Sequence, residues 1–582
     1  MLTRLLKHLL GPSPGGAGES AAAPAGAAGL DRALACYQRR EFDRAEELCR
    51  ALLRGYPEHA AAHALLGALA LVQGNAAAAI ASLERAVALE PGSHEYQRNC
   101  GEAYRRAGRL ARAVACFGTA LGIKPDDPAA WHNLALAQQA LGNMSEAILA
   151  FRKALALQGG DAGFHSGLLF TLTWCPGIDG EEVLVEHRRW GALYADHLSD
   201  QAAPHENLAD PDKVLRIGYF AAEFTACFVE PFIAHRDRRR FQVIFYKNSA
   251  HMDEDALRLR QMADGWRQLE SMSDAEAAEL IRRDRIDILV DLAGHTNGNR
   301  LLTFARKPAP VQVSYLGYLN TSGMKSIDYR ISDSHADPPG VAERYHSERL
   351  IRLPHSLWCY RPPAAMPVPG PPPALTRGHV TFGSFNHFSK VNDQVRQLWA
   401  QLLQAVPHSR LLALGVPADE NRDTMREAFV AQGVAADRIE IHGMLDYARY
   451  LRMYQETDIA LDSFPYNGGT TTCDALWMGV PVVALAGQYG AARSGVSLLS
   501  VLGLGHLIAA TPERYVAIAQ QLAADPGQLS TLRATMRERI RNSPLMDAPG
   551  FSRALETAYR EMWRTWCREK STAANPGRIG PA

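Results

Sequence analysis

The stretch DIALDSFPYNGGTTTCDALWMGVPVVALAG (458–487) decides how the second half of this chain reads. An apolar run ending in DSF reads as a strand, PYNGG as a loop, a short helix follows from near Thr471, and VPVVALAG is the next strand. Gly468 and Gly469 let a backbone approach a ligand closely, and Thr470, Thr471 and Thr472 bring hydroxyl donors. The helix N-terminus adds free N–H groups and a favourable dipole, so the stretch has the parts of a diphosphate cradle. Asp474, one turn into the helix, is placed to accept hydrogen bonds from a ribose. The same residues also fit a capped turn with Asp474 as a dipole partner. They lack the spacing of a P-loop.

Working outward, TFGSFNHFSKV (381–391) ends another strand and carries Lys390 to the same surface, where a lysine can neutralise a departing pyrophosphate. RLLALG (410–415) adds a further strand to this half. On the far side of a Pro-rich stretch (361–378), LRIGYF (215–220), FQVIFY (241–246), IDILVDL (286–292) and VQVSYLGY (311–318) alternate with helical segments at 253–264 and 273–285. Alternation of this kind predicts parallel sheets built from β–α units, with ligands bound beyond the carboxyl ends of the strands in a cleft between two domains. In the first of these, DLAGHTNGNR (291–300) brings His295 into a loop, either as a base or acceptor-site donor or as a loop-stabilising hydrogen-bonder. GYLNTSG (317–323) does the same with Thr321 and Ser322.

The first part of the chain is of another kind. Pro57, Pro91 and Pro125 recur at the 34-residue period of a tetratricopeptide (TPR) helix–turn–helix unit. One register holds Ala45, Ala79, Ala113 and Ala147, another Gly74, Gly108 and Gly142. A third holds Cys49, Leu83, Phe117 and Phe151, and a fourth Leu52, Ala86, Ala120 and Ala154. Small residues let antiparallel helices approach, and glycine supplies the turn. The array forms a concave groove suited to an extended peptide.

Across 582 residues, Lys plus Arg (62) balances Asp plus Glu (62), which excludes a broadly basic nucleic-acid or membrane binder. Nine cysteines without a C-x-x-C pair, most in apolar stretches, read as reduced thiols of a cytoplasmic chain. The opening MLTRLLKHLLG reads as a short amphipathic segment, and no run approaches the ~20 apolar residues of a membrane span. The expected organisation is a flexible segment (1–29), TPR repeats (30–160), a helical linker (161–210), an amino-terminal Rossmann-like lobe (211–365), a carboxyl-terminal Rossmann-like lobe (376–560) and a tail (561–582). Two D-x-D triplets, Asp210–Asp212 and Asp253–Asp255, fall in linker and helix and are not read as a metal site.

TPR units leading into LRIGYF, DILVDLAGHT, KPAPVQVSYLGYLNTSG, DYRISD, VTFGSFNHFSK, DIALDSFPYNGGTTTCDALWMGVPVV and ARSGVSLL make the chain similar to the nucleocytoplasmic O-linked N-acetylglucosamine (O-GlcNAc) transferases, glycosyltransferase family 41, including its SPINDLY branch. The resemblance covers roughly 30–565. It implies an α-solenoid followed by an α/β GT-B fold of two Rossmann-like domains. It also implies a metal-independent, inverting transfer of a sugar from a nucleotide to Ser or Thr hydroxyls of proteins guided by the TPR groove, with a homodimer among the assemblies. By motif, Lys390 would stabilise the leaving nucleoside diphosphate, Gly469, Thr470 and Thr471 would hold its phosphates and Asp474 its ribose, with His387 near the nucleotide. Gly317, Thr321 and Ser322 would lie on the sugar side, with His295 and Arg493 at the cleft. UDP-GlcNAc is the expected donor, without metal or other cofactor. A SPINDLY-like use of GDP-fucose and a catalytically weak TPR adaptor are the alternatives. Two departures bear on this. The family's D-F-x-x-H stretch after the first strand is replaced by the shorter AAEFTACFVEPFIAHRD (221–237), which has no histidine before His235, and Leu319 stands where the family has proline.

Overall fold

A computed structural model of the chain describes residues 23–158, 160–363 and 366–574. It divides into two compact units, one running to Phe164 and including Val416–Glu427, the other comprising His165–Gly415 and the residues from Ala428 onward.

The first unit is a stack of antiparallel helix pairs. Ala23–Gln38 packs on Phe42–Gly55, Ala60–Val72 on Ala76–Leu89, His94–Arg106 on Leu110–Ile123, and Pro128–Leu141 on Met144–Leu157. The sequence registers map onto the packing: Ala45, Ala79, Ala113 and Ala147 are all fully buried, as are Leu83, Phe117 and Phe151. Gly74, Gly108 and Gly142 adopt positive φ at the turns inside the second, third and fourth pairs, a conformation that a side chain would strain. A register that the sequence reading missed is as telling. A Cβ on Gly67 would lie 2.4 Å from Leu83 and one on Gly101 2.6 Å from Phe117, so each glycine lets the larger residue of its partner helix seat against bare backbone.

The expected flexible segment is corrected in part. Residues 1–22 lie outside the described residues, but Ala23–Gly29 belongs to the first helix, where alanine's helix propensity operates and Gly29 sits against Leu52.

The residues read as a helical linker are helical at Ala162–Leu172 and Gly180–Trp190, the latter continuing through a π-helical turn at Gly191–Ala195 in the second unit. Two parallel sheets follow. In the first, β1 (Leu215–Ala221), β2 (Phe241–Lys247), β3 (Gly265–Gln268), β4 (Ile288–Asp291), β5 (Val311–Ser314), β6 (Tyr329–Asp333) and β7 (Arg349–Leu353) lie in the order 3-2-1-4-5-6-7. In the second, β8 (Thr381–Ser384), β9 (Arg410–Ala413), β10 (Ile439–Ile441), β11 (Ile459–Leu461), β12 (Val482–Leu485) and β13 (Ile508–Ala509) lie in the order 10-9-8-11-12-13. Both are the doubly wound arrangement, in which strand order reverses between the first and fourth strands and opens a crevice at their carboxyl ends. The switch points are therefore β1/β4 and β8/β11. The second of these is where the Lys390 and PYNGGTTT loops begin.

The chain's last helix departs from the expected boundaries. Ala548–Ala574 runs through the residues read as a tail and packs on the first lobe. Phe551 meets Phe232, the Tyr559 and Tyr219 hydroxyls are 3.0 Å apart, and Trp563 Nε1 donates to the Asp210 carbonyl at 2.9 Å. Its buried face (Phe551, Leu555, Tyr559, Met562, Trp563) makes it a structural element of the first lobe. Among the described residues, no helix is long and apolar enough to cross a membrane.

Candidate active site

Carboxyl-end loops of the two lobes meet. Arg493 Nε donates to the His335 carbonyl at 3.0 Å, Ser497 Oγ donates to Asp333 Oδ2 at 2.5 Å, and the Trp358 ring lies 3.1 Å from where a Gly469 side chain would begin.

On the second lobe the strand, glycine loop and short helix read from the sequence are present. β11 ends at Leu461, and Asp462 accepts from the Gly468 amide at 2.7 Å, closing the loop so that Gly469 caps a helix spanning Thr470–Trp477. A Cβ on Gly468 would fall within 3 Å of the Thr471 and Thr472 hydroxyls and of Asn386. The first amide of this turn bonded within the helix is that of Cys473, to the Gly469 carbonyl, so the preceding amides face outward at the cation-like end of the helix. Thr470 is exposed, and Thr471 is half-buried with its hydroxyl on Asn386 Oδ1 at 3.2 Å.

Lys390 comes to this turn from the loop after β8. Its Nζ donates to the Asn467 carbonyl at 3.0 Å and lies 4.5 Å from the centre of the Tyr466 ring. Burial brings the Lys390 pKa down to about 8, with Asp462 pulling the other way. Burial likewise lifts Asp462 to about 7, against the Gly468 amide and Lys390. The ammonium is thus held in a poorly hydrated place, where it gains most from an incoming anion. His387 is exposed beside it, its Nδ1 2.6 Å from Ser389 Oγ.

Asp474 differs from the expectation of an open ribose acceptor. It is buried, with Tyr360 OH on one oxygen at 2.8 Å and Tyr450 OH on the other at 3.1 Å, and burial raises its pKa to about 6. Tyr360 comes from the first lobe, so Asp474 here joins the lobes.

The sugar-side loop is where the structure corrects the sequence most. Thr321 and Ser322 are buried, and both hydroxyls are held by Glu348: Thr321 Oγ1 donates to Oε2 at 2.7 Å, and the Ser322 hydroxyl and amide (2.6 Å) donate to Oε1. Burial opposes ionisation of Glu348, but His346 and these donors outweigh it and hold its pKa below the usual range. His295 is likewise buried and engaged at both nitrogens. Nε2 faces the Ser322 carbonyl at 2.9 Å, which fixes it as the N–H, and Nδ1 accepts from Ser166 Oγ at 3.0 Å. Burial depresses its pKa well below the ordinary value. In this arrangement His295, Thr321 and Ser322 shape the loop from behind and do not line an open cleft. Gly317 does reach the surface, and a Cβ there would sit 1.7 Å from the Leu292 carbonyl, so only glycine fits. Arg493 is half-buried, its guanidinium on the His335 and Gly487 carbonyls. Sequence reasoning missed Glu348, Tyr360 and Ser166 because each partner lies far along the chain from the residue it holds. The D-x-D aspartates have local duties: Asp253 caps the helix Glu254–Met262, Asp255 pairs with Arg258, Asp210 accepts from the Asp212 amide, and Asp212 pairs with Arg564.

A helical-repeat array followed by two Rossmann-like lobes, with a lysine and a threonine-rich helix start at one switch point, defines a GT-B-type fold. Family comparison makes the assignment specific: the chain belongs to glycosyl transferase family 41, whose model matches residues 197–360 and 374–555, while tetratricopeptide models match 30–94, 101–142 and 128–161. It is 39% identical over 404 residues to a protein of Arabidopsis thaliana named "Probable UDP-N-acetylglucosamine--peptide N-acetylglucosaminyltransferase SPINDLY", covering 67% of this chain and 44% of the relative. A second Arabidopsis thaliana protein, the similarly named SEC, is 32% identical over 61% of this chain and 38% of its own length. The chain therefore spans less than half the length of these curated relatives. A solved structure of a Thermobaculum terrenum O-GlcNAc transferase mutant superposes with a TM-score of 0.80 at 35% identity, over 87% of this chain and 97% of that one.

Proposed function

We propose that the chain is a protein O-glycosyltransferase that moves N-acetylglucosamine from UDP-GlcNAc to Ser or Thr hydroxyls of polypeptides presented by the TPR groove, with inversion at the anomeric carbon. The observation that carries this reading is the Lys390–Asn467–Thr470 constellation at the β8/β11 switch point of a family 41 fold. The exposed helix start takes the diphosphate, and Lys390 meets the charge that builds on it as the anomeric C–O bond breaks. The names of the two Arabidopsis thaliana relatives, both N-acetylglucosaminyltransferases, support the donor, and the reading needs no metal.

A donor panel tests it. Purified chain with a Ser/Thr peptide is offered UDP-GlcNAc, UDP-glucose and GDP-fucose, and both nucleotide release and peptide mass are read. Transfer from UDP-GlcNAc is expected. Transfer from GDP-fucose alone would change the donor, and nucleotide binding without turnover from any sugar would make the chain an adaptor.

The pH dependence is a second expectation. The folded pKa of Lys390 lies below that of a free lysine, so the ammonium is the form the fold disfavours, and deprotonation through pH about 8 relieves the fold while removing the charge the diphosphate needs. Stability and transfer should therefore move in opposite directions above that pH. At low donor concentration kcat/KM should fall about tenfold per pH unit there, and Lys390→Arg, which stays charged, should lose this alkaline limb. An unchanged limb in Lys390→Arg would assign it to another group.

A further inference from the structure

We propose that Glu223 is the carboxylate that takes the proton of the acceptor hydroxyl, doing in this chain what a histidine could have done in the segment after β1. The inference rests on the transferase reading above.

Glu223 lies two residues beyond the end of β1, at the β1/β4 switch point, the first lobe's counterpart of the position from which Lys390 serves the second. The segment it sits on leads to the cradle: four residues later the helix Ala226–Ala234 is under way, its Phe228 lies 5.0 Å from Trp358, and the Trp358 ring abuts Gly469. At the carboxyl ends of the strands flanking the two switch points, the other carboxylates are Asp291 and Asp462. Both are buried and already accept backbone amides, Asp291 from Ala293 and Gly294, Asp462 from Gly468. Glu223 alone of the three presents itself to solvent, its side chain 55% exposed. It is also held in place. Lys247, the last residue of β2 and fully buried, donates to Glu223 Oε2 at 2.7 Å and to the Ala222 carbonyl at 3.1 Å, which leaves Oε1 for another partner. The buried Lys247 side chain thus fixes the direction of the Glu223 carboxylate. A carboxylate of fixed direction with an open oxygen at a strand's carboxyl end has the chemistry to accept a proton from a hydroxyl brought within hydrogen-bond reach.

The step balances. The acceptor oxygen bonds to the anomeric carbon as its proton passes to Glu223 Oε1, the bond from that carbon to the phosphate oxygen breaks, and the electron pair leaves with the diphosphate towards Lys390.

The test is Glu223→Gln in the full chain, read as peptide transfer, donor affinity by calorimetry, and a pH profile. Transfer is expected to fall roughly 100-fold or more, with donor affinity held within about threefold and the acidic limb of kcat/KM gone. Glu223→Asp, which keeps a charge for Lys247 but withdraws the oxygen, should show an intermediate loss. Because Glu223→Gln strands the Lys247 charge, the double variant Glu223→Gln with Lys247→Met is measured beside it as a folded reference. Transfer within threefold of wild type in either Gln variant would overturn the proposal, as would a loss matched by lost donor affinity. If wild type transfers and Lys390→Ala does not while the Gln variants keep transferring, only the role of Glu223 falls. An inert wild type overturns this role and the transferase reading together.

Discussion

Lys390→Ala is expected to lower sugar transfer roughly 100- to 1,000-fold while leaving the fold intact. The ammonium makes one protein hydrogen bond, to the Asn467 carbonyl, and rests over Tyr466, so truncation removes little packing. Its value lies in the reaction. Charge on the diphosphate oxygen grows as the sugar departs, and a fixed cation in a place where water screens poorly is worth more to that state than to the bound donor. Donor affinity should therefore weaken much less than turnover. The measurement is single-turnover transfer at saturating UDP-GlcNAc beside calorimetric donor affinity. Equal losses in both would assign Lys390 to ground-state binding, and unchanged turnover would remove it from the mechanism.

Glu348→Ala carries the largest expected loss of stability, about 3 kcal/mol or more in the transition that unfolds the second unit. The carboxylate is buried and accepts three donors, the Thr321 hydroxyl and the Ser322 hydroxyl and amide. Alanine leaves the Ser322 hydroxyl and amide without this acceptor, takes one of two partners from the Thr321 hydroxyl, which keeps Ser347 Oγ at 2.9 Å, and opens a hole the size of the lost side chain. The loop they anchor also supplies the Ser322 carbonyl that fixes the His295 tautomer, so the loss spreads to the β4 loop. Thermal unfolding with and without UDP checks this. Glu348→Gln, which can still accept, should lose less, and a melting curve for Glu348→Ala identical to wild type would refute the account.

Part of this architecture is legible in one sequence because it is local. The TPR registers repeat a packing solution every 34 residues, so Ala45 and Phe117 declare their burial through their equivalents. The cradle is legible because strand, glycine pair, threonines and helix are contiguous between 458 and 477. The rest depends on partners that only folding brings together. Thr321 and Ser322 look like free hydroxyl donors until Glu348 is placed beside them, and Asp474 looks like an open acceptor until Tyr360 and Tyr450 occupy its oxygens. His295 could be read as base or as loop support, and two hydrogen bonds, one from Ser166 in the preceding helical segment, select the second. Short edge strands such as β10 and β13 escaped because three or two residues carry no periodicity.

The closing helix Ala548–Ala574 has a consequence for how the molecule would admit its ligands. It follows directly from the second lobe's chain yet ends against the first, with Tyr559 on Tyr219 and Trp563 on the Asp210 carbonyl. Such a strap adds to the contacts of Arg493, Ser497 and Asp474, which already hold the mouth loops of the two lobes together. A wide swing of one lobe away from the other would have to part both sets of contacts, so the arrangement favours rearrangement of the mouth loops over opening of the lobes.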